Sequence, residues 1–254
     1  MSTAKQRIVI IGATSAIAEH CARLWVADAA VDLSLIGRDP GKLEAVAADL
    51  RVRSPQSLIR IHGAEAAGFV DPLTVRQLVD SIVAEGAVDR VLIAHGSLPD
   101  QSACQTDLTA ANEALVVNGI SPVLFAEAFA GHLRKVGRGT LAIIGSVAGD
   151  RGRKSNYVYG AAKGLVARYA QGLQHRLAGS GVKVVLIKPG PTATPMTARL
   201  GQQGARLASV EEVAQAMVDG IAKGKPVVYA PARWALIMMV IRHLPAFVFN
   251  RMDI

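Results

Sequence analysis

The sequence predicts one doubly wound α/β domain, a mostly parallel seven-stranded sheet with helices on both faces. Short apolar runs rich in Val, Ile and Leu alternate with helix-like segments from the first residues to about Tyr229, the pattern of a parallel sheet covered on both sides. Hydrophobic residues make up 51% and aromatics only 4%, so the core must be built from Ala, Val, Leu and Ile in closely packed layers. The length of 254 residues allows one large domain or two small ones; no low-complexity linker, charge block or internal repeat divides the chain.

In chain order, strands are expected near 7–11, 32–36, 57–61, 89–94, 140–144, 183–187 and 227–229. After the first comes the turn Gly12-Ala13-Thr14-Ser15-Ala16-Ile17-Ala18, leading into an apolar-periodic helix. After the second, Asp39 before Pro40 marks an N-cap followed by proline in the first turn. Long helices over 110–131 and 157–178 flank the fifth strand, and both are long enough to cover the middle of the sheet. Ser209-Val210-Glu211-Glu212 reads as a capping box opening a helix to about Ala222. Residues 1–232 then form the domain, and 233–254 an apolar and basic C-terminal extension.

The chemistry gathers around Tyr159-Gly160-Ala161-Ala162-Lys163, with Ser146 upstream. On a helix, Tyr159 and Lys163 are i and i+4 and share one face. A phenol ionises near pH ~10; a neighbouring ammonium is expected to lower that value, making Tyr159 an acid or base usable near neutrality. Alone, such a pair usually means only an exposed helix pair. Its context favours chemistry, because Ser146 follows a buried strand and so lies at the edge where open α/β sheets bind ligands.

The turn after the first strand would present free backbone N–H groups to a phosphate. Of the three glycines usual in a dinucleotide-binding turn, only Gly12 is present, so the loop alone fits an ordinary strand-to-helix turn as well. At the end of the second strand an acid would hold ribose hydroxyls and an arginine would accept a 2′-phosphate. The sequence there is Leu35-Ile36-Gly37-Arg38-Asp39. Asp32 starts its strand and lies at the wrong end, and Asp39 serves as a helix cap. The expected cofactor is therefore NADP(H), with Arg38 gripping the phosphate and Ser15 assisting.

Composition narrows the other classes. The formal charge of +8 would suit a nucleic-acid binder, but the basic residues are scattered rather than interleaved with aromatics; anionic small molecules or a negatively charged membrane surface fit better. Cys21 and Cys104 give neither metal-ligand spacing nor a disulfide framework and are expected to be reduced. The polar residues 1–7 offer no secretory h-region, which points to the cytoplasmic side, and no metal is expected. The apolar run 234–241 is far short of the ~20 residues that span a bilayer.

Together the glycine turn, Ser146, Tyr159-x-x-x-Lys163 and Lys188-Pro189-Gly190 resemble the short-chain dehydrogenase/reductase family over nearly the whole chain. The resemblance implies a Rossmann-like fold, a nicotinamide cofactor and a Ser-Tyr-Lys site. By that likeness Tyr159 donates a proton to a carbonyl oxygen, Ser146 hydrogen-bonds that oxygen, and Lys163 holds the nicotinamide ribose and depresses the phenol. Asn118 matches the residue that supports a water linking Lys163 to solvent. Pro189-Gly190 begins the turn over the nicotinamide, Thr194 meets its carboxamide, and the segment to about Ala208 forms a lid. The cofactor-binding set is Gly12, Thr14, Ser15, Ala16, Ile17, Arg38, Gly96, Tyr159, Lys163, Pro189, Gly190 and Thr194. The family likeness also implies a homodimer or homotetramer. Two departures stand out: Ile93-Ala94-His95-Gly96 replaces the usual Asn-Asn-Ala-Gly, and the acid that meets adenine is absent after the third strand. His95 lies where a histidine could titrate near neutral pH, but packing against the nucleotide is the favoured role.

A narrower likeness begins at Asp150. Asp150-Arg151 with Arg153, residues 156–160, Lys223-Gly224-Lys225, Ala230-Pro231-Ala232 and the stretch Met238-Met239-Val240 through Pro245 resemble the keto-sugar reductase component of the decaprenylphosphoryl-ribose epimerase system. The implied substrate is a keto-sugar on a polyprenyl phosphate, with Arg151, Arg153 and Lys154 as candidates for its phosphate. The tail could lie in the membrane interface or pack on its own chain or a partner subunit. A soluble carbonyl substrate is the alternative, and a non-catalytic nucleotide sensor a third.

Overall fold

Strand β1 (Gln6–Ile11) turns Ile8 and Ile10 toward one face and Val9 and Ile11 toward the other, all fully buried, so it lies inside the sheet rather than on a solvated edge. The computed structural model describes residues 5–64, 66–202 and 204–252. Six more strands follow: β2 (Val31–Gly37), β3 (Leu58–Gly63), β4 (Arg90–Ile93), β5 (Gly139–Ile144), β6 (Val182–Pro189) and β7 (Val227–Ala230). All pair in parallel in the order β3-β2-β1-β4-β5-β6-β7. Every expected strand is present within two residues at each end. The order reverses between β1 and β4, which opens a crevice at their carboxyl ends.

The helices are α1 (Ala16–Asp28), α2 (Pro40–Arg53), α3 (Pro72–Ala84), α4 (Gln101–Thr106), α5 (Leu108–Leu115), α6 (Ser121–Val136), α7 (Tyr157–Arg176), α8 (Ala198–Gln202), α9 (Val210–Ala222), α10 (Arg233–His243) and α11 (Ala246–Phe249). Helices α1, α2 and α9 cover one face, with Trp25, Leu43 and Met217 among their buried residues. Helices α3, α6 and α7 cover the other through Val79, Phe125, Phe129 and Val166. Two expected caps are present: Asp39 accepts from the Lys42 N–H at 3.0 Å, and Ser209 Oγ from that of Glu212 at 3.0 Å.

One expectation is corrected. The helix placed over 110–131 is interrupted at Val116–Ile120 by a turn of π-helix, in which the Ser121 N–H reaches back five residues to the Val116 carbonyl. The stretch Leu108–Val136 has the length and apolarity to cross a membrane, but here Phe125 and Phe129 on its inner face lie fully buried in the domain core. At the C-terminus, α10 folds back onto β7 and onto the turn that follows β5, burying Met238 completely. The last two residues of the expected extension, 253 and 254, lie outside the described residues.

Candidate active site

Gly12 leaves β1 with φ of +83°, and a Cβ there would stand 2.6 Å from the His95 backbone nitrogen; both the conformation and the contact demand glycine. Ser15 is the extended N-cap of α1, and its hydroxyl is not spent on the helix. The first-turn N–H groups of α1 lack helical partners and face a cleft of about 700 Å³ lined by Gly12, Thr14, Ser15, Ala16, Ile17, Gly37 and Arg38. The methyl of Ala18 is buried in the core, so only Ala16 adds a methyl at this mouth. Arg38 stands exposed on the rim.

The cleft continues into an inner chamber of about 100 Å³ bounded by Gly96, Asn118, Ser146, Tyr159, Lys163, Pro189, Gly190 and Thr194. Ser146 follows β5 and caps a short 3-10 turn, accepting from the Ala148 N–H at 3.1 Å; its hydroxyl is near enough to the Tyr159 phenol to lower that group's pKa. Lys163, one turn along α7, is 3% exposed and donates from Nζ to the Ile144 carbonyl at 3.1 Å. Its Nζ lies 5.8 Å from the Tyr159 ring centroid. The fold thus brings Ser146, Tyr159 and Lys163 to one chamber.

The electrostatics correct one expectation. Burial raises the Tyr159 pKa above the ordinary phenol value, with the Ser146 hydrogen bond opposing it, and burial pushes Lys163 down to about 8. Tyr159 is enclosed by protein yet keeps part of its surface open to the chamber. Desolvation penalises both charged forms, so the lysine does not make the phenol acidic in this state; Tyr159 holds its proton at neutral pH.

Asn118 lies in the π-turn, fully buried. Its Oδ1 accepts from the Ser97 N–H at 2.9 Å, and its Nδ2 donates to the Ala114 carbonyl at 3.0 Å and to Ser97 Oγ at 3.3 Å. Gly96 passes between Asn118 and Lys163: a Cβ on it would lie 2.8 Å from Asn118 Oδ1 and 3.6 Å from Lys163 Nζ. On the far wall, the Gly190 N–H donates to the Ala230 carbonyl at 2.9 Å and Thr192 Oγ1 donates to the Gly190 carbonyl at 2.9 Å. Thr194 and Thr197 share a hydroxyl hydrogen bond of 3.1 Å. A bridge between Thr192 and Ala208 closes the base of the following loop, and Arg199 on α8 pairs at 2.9 Å with Asp100, the N-cap of α4.

One alternative is set aside and one further expectation changes. His95 does not titrate near neutrality: burial first, then the nearby Lys163 and Arg38 charges, push it down to about 3. Its Nε2 lies 2.8 Å from Ser121 Oγ, which donates to the Phe69 carbonyl, and its ring packs edge-on against Phe69 and Phe125. His95 thus braces the cleft wall as a neutral ring. Arg151 and Arg153, expected at a substrate phosphate, are turned to the C-terminal helix instead. Arg151 Nη1 donates to the Ile241 and Leu244 carbonyls at 2.6 and 2.7 Å, and Arg153 Nη2 reaches Met238 Sδ at 3.5 Å.

Sequence reasoning missed Asn112, Glu113, Val116 and Val117, which line the same large cleft as Arg38. Their i, i+4 spacing just before Asn118 was the available signal. It also missed Phe69, whose place at the end of a single 3-10 turn carries no recognisable pattern.

Residues 6–205 match the family model described as short chain dehydrogenase. An uncharacterized oxidoreductase of Mycobacterium tuberculosis strain H37Rv is 36% identical over 250 residues, covering 96% of each chain. An uncharacterized oxidoreductase of Streptomyces coelicolor is 30% identical over 246 residues, covering 96% of this chain and 95% of the relative. Among solved structures, a short-chain dehydrogenase from Sphingobium yanoikuyae in complex with NADPH superposes with a TM-score of 0.80 at 24% identity, covering 98% of this chain and 96% of that one.

Proposed function

The chain belongs to the short-chain dehydrogenase family, and from that premise we propose that it is an NADP(H)-dependent oxidoreductase interconverting a ketone and a secondary alcohol. The observation that carries this reading is the meeting of Ser146, Tyr159 and Lys163 at the inner end of a cleft whose outer end is lined by Arg38. A dinucleotide suits that cleft: Gly12 and Gly96 leave no room for a Cβ, and unpaired N–H groups at the start of α1 can take a pyrophosphate. Gly37 stands where an acid would select NAD, and Arg38 has no ion-pair partner among the described residues. Pro189, Gly190 and Thr194 would border the nicotinamide.

When bound, the cofactor supplies or accepts the hydride at the substrate carbon. In reduction, Tyr159 gives its phenolic proton to the carbonyl oxygen as that oxygen becomes an alkoxide, a far stronger base than phenolate. The raised phenol pKa keeps that proton in place beforehand. Ser146 hydrogen-bonds the same oxygen and orients the phenol, while Lys163 stabilises the phenolate left behind.

The test is a pair of measurements. Tyr159→Phe should lower turnover of a panel ketone about 10²- to 10⁴-fold while NADPH still binds. NADPH should bind at least about tenfold more tightly than NADH, with Arg38→Ala erasing the preference. Equal affinity for the two nucleotides, or an unimpaired phenylalanine variant, refutes the reading.

A more specific reading places the protein in the cytoplasm at the inner face of the membrane, acting on a carbonyl carried by a polyprenyl phosphate. It is favoured by the outer side of α10 and α11, where Leu236 is 64% and Phe247 69% exposed beside Arg233, Arg242 and Arg251, with no acidic residue over 233–252. Such a surface suits an anionic interface. Full-length protein should float with anionic vesicles, and Leu236→Glu with Phe247→Glu should abolish flotation; a parent that never floats leaves a soluble carbonyl as substrate. A homodimer or homotetramer, testable by light scattering, would use the outer faces of α5 to α7, where Leu115 and Leu165 are exposed.

A further inference from the structure

Two turns border the reactive end of the cleft, one running from Ser146 to Asp150 and the other through Pro189 and Gly190. Their separation fixes where a carbonyl can lie relative to Tyr159. A buried network joins them. Asp150 closes the first turn, and its carboxylate accepts from Lys188 Nζ at 2.5 Å and from the Tyr229 hydroxyl at 2.8 Å. Lys188 immediately precedes Pro189, and the Lys188 and Asp150 side chains are 6% and 4% exposed. A buried ion pair is weak evidence for added stability, and its evident effect here is to fix one turn against the other.

Helix α10 buttresses both turns. Next to Asp150, Arg151 caps the end of α10 through the Ile241 and Leu244 carbonyls, two groups at a helix end that leaves its carbonyls without partners. Its guanidinium lies 3.8 Å from the Phe249 ring centroid. At the start of the same helix, Trp234 sits directly on Gly190: a Cβ at Gly190 would lie 1.9 Å from the indole Nε1. Gly149, inside the first turn, packs so closely on α7 that a Cβ would come within 2.6 Å of the Lys163 carbonyl carbon. A shift of this turn would therefore press on the helix that carries Tyr159 and Lys163.

We propose that α10 is a positioning element of the active site, with Arg151 and Trp234 holding the Ser146 turn and the Gly190 turn in register across the reactive chamber. The proposal rests on the nucleotide-binding reading above. A displacement of 1 Å at a reacting centre can cost about 10² in rate, so such a buttress has a functional consequence beyond anchoring the chain end.

Trp25 and Trp234 are the two tryptophans of the chain, so full-length protein carrying Trp25→Phe isolates Trp234 as the reporter. NADP⁺ is titrated while emission is followed, and binding is measured separately by calorimetry. Saturating NADP⁺ should change Trp234 emission. Arg151→Ala should remove most of that change while the NADP⁺ dissociation constant stays within about threefold; Arg151→Lys, which keeps a cation but not the guanidinium fork, should give an intermediate response and decides the matter if the alanine variant does not fold. Calorimetric binding with a silent Trp234, or an arginine variant that responds like the parent, overturns the positioning role alone. Absence of NADP⁺ binding by calorimetry in the parent overturns the nucleotide reading, and this inference with it.

Discussion

Burial brings Lys163 down to about 8, so the cation beside Tyr159 is present at neutral pH and fades in mild alkali. The profile of kcat/KM against pH reports groups of the free enzyme; it should therefore fall as pH rises through about 8. Lys163→Arg keeps its charge throughout this range, so the variant, though less active, should lose that limb; an unchanged limb would assign it to another group. These residues were legible because their relation is local, with four positions on one helix and a serine at a strand end. Arg151 was not. Its carbonyl partners lie 90 and 93 residues further on, and the sequence shows only a basic loop, which a phosphate-binding role fits equally well.

Strands and helices differ in how much of themselves they declare. The runs that became β1 and β6 are largely apolar on both faces and bounded by turns, so they could be read directly. The π-turn at Val116–Ile120 could not be, since one extra residue in a helix leaves no compositional mark. Its consequence is nonetheless specific, because it turns Asn118 inward to join Ala114 and Ser97. Asn118→Ala should cost about 2 kcal/mol by leaving those groups unpaired, a fall of roughly 4–8 °C in Tm for a chain of this size. Calorimetry giving a wild-type Tm would mean that the bonds are replaced by water. An exposed ion pair makes the contrary case: Arg199 and Asp100 are both exposed, and such pairs add little stability. Arg199→Glu, which sets two carboxylates against each other between α8 and the cap of α4, should leave Tm nearly unchanged in calorimetry; a fall of several degrees would show that the exposed pair contributes more than its solvated setting allows.

For the molecule as a whole, the half-buried histidines set its response to acid. Burial holds His62, His95 and His132 below their ordinary value, with His95 at about 3. Between the folded and unfolded pKa values the unfolded chain binds more protons, so stability falls as pH drops; for His95 that window runs from about 6.5 to about 3. The carboxylates of Asp49, Asp71 and Asp100, lowered chiefly by hydrogen bonds, add stability above the unfolded carboxylate pKa that is lost below it, so they push the same way but begin lower, near pH ~4. Glu19, raised by burial, acts in the opposite sense. A formal charge already at +8 grows on acidification and adds self-repulsion. The urea midpoint should accordingly begin to fall below about pH 6.5, well before the carboxylates titrate. His95→Gln, which retains an amide donor for Ser121, should flatten the slope between pH 6.5 and 4. A midpoint constant from pH 7 to 5 would mean that His95 is solvated in the folded state, and the cleft wall it braces would then be looser than its packing against Phe69 and Phe125 implies.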